Sequence, residues 1–75
     1  RYERITVDPE IVAGKPCIKG TRIAVDLILR KFGAGMSIPE LLDAYPSLRV
    51  EDVLEAFTFA ADVLAKAEIE LASPH

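Results

Sequence analysis

The sequence predicts a mainly α, tri-helical domain of helix-turn-helix (homeodomain-like) order, preceded by a short N-terminal β-hairpin or β-strand pair. Three observations predict it. Val25, Ile28, Leu29 and Phe32 recur at the spacing of one apolar helix face. Ser37-Ile38-Pro39-Glu40 reads as a helix start, and a long run with helical period follows from Val50. Ahead of all this, residues 4–23 combine β-branched residues with Gly, Pro and Asp in turn positions.

The elements follow in chain order. Arg4-Ile5-Thr6-Val7 is predicted to be a strand, ended by a turn at Asp8-Pro9-Glu10, with Asp first and Pro second. Residues 15–18 are its expected partner. Pro16, which has no N–H to donate, suits an edge position, and Gly20 closes the turn. Helix period begins after Ala24, with Asp26 well placed at the positive helix end, and Gly33 and Gly35 stop it.

In the second helix Ser37 caps, Pro39 fits the first turn, and Glu40 completes a capping box. Ile38, Leu41, Leu42 and Tyr45 form its buried side, and Pro46 ends it. Residues 46–49 make a turn, and the third helix runs from Val50 to about Ala67. Its inward stripe is expected to be Val53, Leu54, Phe57, Ala61 and Leu64. A second stripe, Ala56, Phe59, Ala60, Val63 and Ala67, widens the apolar arc beyond what one core contact requires. For that stripe, and for Phe59 above all, additional core and a partner interface both remain open. The organisation is thus one domain, 1–75. It has a β element and loop over 4–23, a three-helix core over 24–67 and a tail over 68–75.

Bulk composition bounds the class. A chain of 75 residues hides only about 60% of its unfolded surface. With 51% hydrophobic residues, apolar surface is expected to be left for a partner, first of all a second copy in a homodimer. The short exposed strand is a further means of pairing across a two-fold axis. Cys17 is the only cysteine, which excludes an internal disulfide and suits a reducing, cytoplasmic setting. No apolar run reaches membrane-span length, and no signal pattern is present. Because the chain begins with Arg1, its native start is expected to lie upstream.

Net charge is −3 but unevenly divided. Residues 1–35 hold seven cations against four anions, whereas residues 36–75 hold two against eight. Any DNA contact is therefore expected from Lys15, Lys19, Arg22, Arg30 and Lys31 rather than from the third helix, whose Glu51, Asp52 and Glu55 would repel phosphates. The acidic start of that helix is explained by the helix dipole. Ordinary solvated cations are the equal alternative for the basic set, as three helices packed for stability are for the helix-turn-helix order. For Arg22 an ion pair with Asp8 or Asp26 is favoured over a phosphate contact.

Catalysis finds little support, and no enzyme activity, cofactor or small-molecule substrate is expected. The one His is His75 at the tail, so Cys17 has no base to activate it and is expected to be a small buried residue. Metal binding lacks any Cys/His cluster. Gly20 and Thr21 are read as turn formers, because the spacing is not that of a phosphate-binding loop.

The most informative stretch is Gly14-Lys15-Pro16-Cys17-Ile18-Lys19-Gly20-Thr21-Arg22-Ile23. Its pattern, G-x-P-x-I-x-G-T-R-I, carried by Gly14, Pro16, Ile18, Gly20, Thr21, Arg22 and Ile23, resembles the signature of a small prokaryotic family. That family is catalogued as domain of unknown function 433 and described as antitoxins. The resemblance extends from about Ile5 to Leu64, and it departs at Ala24, where a proline is common. It implies a protein that neutralises a PIN-like nuclease toxin by direct contact and represses its own operon by binding operator DNA. Phe59, Ala60, Val63 and Ala67 are the candidate partner-binding residues. A stand-alone DNA-binding regulator and a purely structural oligomer are the alternatives.

Overall fold

The computed structural model describes residues 2–68. Its elements are β1 (Ile5–Thr6), a 3-10 turn (Val12–Gly14), β2 (Cys17–Ile18), α1 (Val25–Gly33), α2 (Ile38–Ala44) and α3 (Val50–Lys66). The architecture is mainly helical, three helices with a two-stranded antiparallel sheet at the N-terminus.

Sheet register sets Ile5 opposite Ile18 and Thr6 opposite Cys17. Both strands are shorter than the predicted four residues. Asp8 ends the first by accepting from the Glu10 N–H at 2.9 Å, with the Ile11 N–H donating to the Asp8 carbonyl. Pro16 lies just outside β2, and its carbonyl accepts the Val25 N–H at 2.9 Å. A loop carbonyl thereby satisfies a donor of the first turn of α1, where Ala24 offers no side-chain cap.

The 3-10 turn was not legible in the sequence. Val12, Ala13 and Gly14 take φ of 50°, 54° and 80° in succession, a left-handed run that a β-branched residue rarely enters. The turn completes the reversal begun at Asp8, within the ten residues that join β1 to β2.

α1 buries Val25 and Ile28, with Leu29 and Phe32 packed at the edge of the core. α2 begins with the capping box read from sequence. The Ser37 hydroxyl accepts the Glu40 N–H at 3.2 Å, and the Ser37 N–H donates to the Glu40 carboxylate at 2.8 Å. These bonds hold the Glu40 carboxyl below the ordinary glutamate value. Leu41 is fully buried, and Leu48, in the turn before α3, joins the core.

The third helix corrects the expected stripe. Val53 and Ala56 are fully buried, but Leu54 and Leu64 are 56% and 58% exposed, Phe57 is 40% exposed, and Ala61 is exposed. Phe59, assigned to the second stripe, packs against the core and meets Tyr2 edge-on, with ring centroids 5.0 Å apart. Two anchors explain the rotation. Asp52 turns inward to Arg4, and the small Ala56 lets the helix sit closely against its neighbours.

Candidate functional site

The motif over 14–23 is a folding device in its own right. Gly14 takes φ of 80°, a left-handed backbone that a side chain rarely adopts, although a β-carbon there would make only ordinary contact, 3.7 Å from the Pro9 Cα. Gly20 takes φ of 82° in the turn after β2. Thr21 locks that turn: its hydroxyl donates to the Ile18 carbonyl at 2.7 Å and accepts the Ile23 N–H at 3.0 Å. Ile18 and Ile23 are tied by an N–H to carbonyl bond of 2.9 Å. Cys17 is fully buried, its Sγ 4.0 Å from the Thr21 carbonyl oxygen. Among the described residues no group of three or more His, Cys, Asp or Glu is arranged to hold a metal ion. His75 and the predicted tail beyond Glu68 lie outside the described residues.

The five candidate DNA-binding cations do not form one free cluster. Asp26 holds Lys15 at 3.2 Å and Arg30 at 3.9 Å, so the anion expected to pair with Arg22 is taken by two other cations. Asp8, the other partner expected for Arg22, bonds the Glu10 N–H instead. Arg22 is exposed beside the Gly20-Thr21 turn, with Lys19 on the other side. Lys31 stands in the last turn of α1 and lines a shallow depression with Gly35, Met36 and Glu40.

The acids of α3 have a role that sequence reasoning missed. The Arg4 guanidinium reaches the Asp52 carboxylate at 3.1 Å, and Asp52, only 6% exposed, also accepts the Arg49 N–H at 2.9 Å. The Arg4 N–H donates to Glu55 at 2.7 Å, and the Tyr2 hydroxyl donates to Asp62. The N-terminal segment is thus laid along α3 on successive carboxylates. Their spacing of three, seven and ten residues along one helix side was the signal available. From Val50 to Ala65 the helix carries no cation.

Between α1 and α3 lies an open groove of about 360 Å³. Pro16, Val25, Leu29, Phe59, Ala60, Val63 and Leu64 line it, and the ion-paired Lys15 and Asp26 are the charged residues in its walls. It brings together three of the four candidate partner-binding residues, Phe59, Ala60 and Val63. Ala67 is the C-cap of α3 and takes no part in the lining. The motif and the groove also meet, because Lys15 and Pro16 belong to both.

Comparison with known proteins adds the following. A family described as "Protein of unknown function (DUF433)" matches residues 5–60. A curated relative from Sinorhizobium fredii, described as "Uncharacterized protein y4eO", is 36% identical over 58 residues, 77% of this chain and 26% of that protein. The chain therefore spans about a quarter of that relative's length. The crystal structure of a DUF433 member protein from Anabaena variabilis superimposes with a TM-score of 0.79 at 28% identity. The superposition covers 84% of this chain and 62% of that one.

Proposed function

The chain belongs to the DUF433 family, and we propose that it is a non-enzymatic interaction module of the antitoxin kind, which binds and neutralises a PIN-like nuclease toxin. The resemblance of residues 14–23 to a family described as antitoxins supplies the partner class. The observation that carries the reading is the apolar groove between α1 and α3, into which Phe59, Ala60 and Val63 converge. Its walls offer an apolar segment of a partner a place to bury against. Co-purification from the native operon tests it: a small nuclease should elute with the wild-type chain and be lost with Val63→Asp. Val63 is 50% exposed, so the variant should keep its helical circular dichroism. A chain that purifies with no nuclease partner would remove the proposal.

A second reading, repression of its own operon by DNA binding, is favoured by one observation. Lys19 and Arg22 flank an exposed turn and hold no anion among the described residues. The sequence of three helices is compatible with a helix-turn-helix reading, but the cation-free face of α3 favours contact through the N-terminal turn and Lys31. Lys19→Glu with Lys31→Glu should weaken operator binding and lower its salt slope by about one per lost phosphate contact. Fluorescence anisotropy that is indifferent to these changes would exclude this surface.

A further inference from the structure

Val50, Leu54, Phe57, Ala61 and Leu64 follow one another at intervals of four, three, four and three residues, the heptad spacing of a coiled-coil seam. All five are exposed and none belongs to the core, to which α3 gives Val53 and Ala56 with Phe59 packed beside them. Phe57 meets Phe32 of α1 with ring centroids 5.2 Å apart and is still 40% exposed. A lone exposed leucine is ordinary on a protein surface. Five apolar residues in register along a 17-residue helix make a continuous face.

We propose that this face is covered by the same face of a second copy, the two α3 helices lying antiparallel about a two-fold axis at Phe57. The seam is nearly symmetric about that residue: Leu54 and Ala61 stand three and four positions away, Val50 and Leu64 seven on either side. An antiparallel partner therefore sets Val50 against Leu64, the large Leu54 against the small Ala61, and Phe57 beside Phe57. This self-complementarity is what an isologous interface requires. Charge selects the direction. Glu51 at one end of α3 comes within a helical turn of both Asp62 and Lys66 of the other copy, a mutually compensating pair instead of a second acidic end, and the opposed helix dipoles attract. A parallel pair would gather both acidic ends together. The seam shares Leu64 with the α1–α3 groove, but Val50, Leu54, Phe57 and Ala61 take no part in that lining, so a change at Leu54 tests the inference apart from the toxin reading.

Sedimentation equilibrium on the chain and on Leu54→Arg tests the surface. The wild type should be dimeric, and the variant should dissociate about a hundredfold more readily, since each dimer loses two seam leucines at about tenfold each. Its circular dichroism should be unchanged. Direction is read by mixing Leu54→Cys chains with Ala61→Cys chains under mild oxidation, Cys17 being buried. The mixed disulfide should form ahead of either symmetric one. A wild type still monomeric at about 1 mM, an unaltered dimer in Leu54→Arg, or predominance of symmetric disulfides would each overturn the proposal.

Discussion

Arg4 and Asp52 meet at 3.1 Å across 48 residues of sequence, fastening the N-terminal segment to the first turn of α3. The two partners are unequal. Asp52 is buried and also holds the Arg49 N–H, whereas the Arg4 side chain remains 38% exposed. Asp52→Ala should therefore cost about 2 kcal/mol, because it leaves two donors without an acceptor. Arg4→Ala should cost under about 1 kcal/mol, since solvent already screens the guanidinium. Urea unfolding of both variants checks the order, and equal losses would contradict it.

The rotation of α3 predicts a contrast between neighbours. Val53→Ala empties a fully buried site and should lower stability by about 2 kcal/mol. Leu54→Ala removes more atoms but from a side chain 56% exposed, and should change monomer stability by less than about 0.5 kcal/mol. Denaturation at concentrations below dimer formation makes the comparison clean.

Glu40 gives a pH dependence with a definite sign. The Ser37 bonds lower its folded pKa relative to the unfolded chain, so its contribution is fully present above the ordinary glutamate value of about 4.3. It is lost as pH falls through the lower folded value. Glu40→Gln keeps the capping geometry but cannot titrate. Its stability should fall less than that of the wild type between neutral and acid pH, as measured by urea midpoints.

Two glycines should respond oppositely to the same substitution. Gly20→Ala places a side chain at φ of 82° and should destabilise by about 1 kcal/mol, with Gly20→Asn milder. Gly33→Ala lies in the last helical position of α1 with open space around its α-carbon, and should stabilise by about 0.5 kcal/mol or more. Thermal midpoints of the three variants suffice.

Local signals made most of the fold legible. The capping box at Ser37 and Glu40, the face of α1 and the turn chemistry at Asp8 and Gly20 each depend on residues a few positions apart. The orientation of α3 was not legible because its apolar arc is wide enough for two stripes to serve as core. What chose between them was the small Ala56 together with Arg4, which pairs with Asp52 from 48 residues away. The candidate site was read in the same partial manner. Phe59, Ala60 and Val63 share a helix side and therefore a groove, but the walls contributed by Pro16, Val25 and Leu29 required knowing how α1 crosses α3. The sequence placed five cations near one another, and the fold then neutralised two of them through Asp26.

The clasp between the N-terminal segment and α3 also has a place in time. Helices form from neighbours, whereas Arg4 must wait for residues 48 positions downstream, and contacts that close long loops are made late in folding. The three helices should therefore associate first and the N-terminal segment dock onto α3 last. Weakening Arg4 would then hasten unfolding and leave the folding rate almost unchanged.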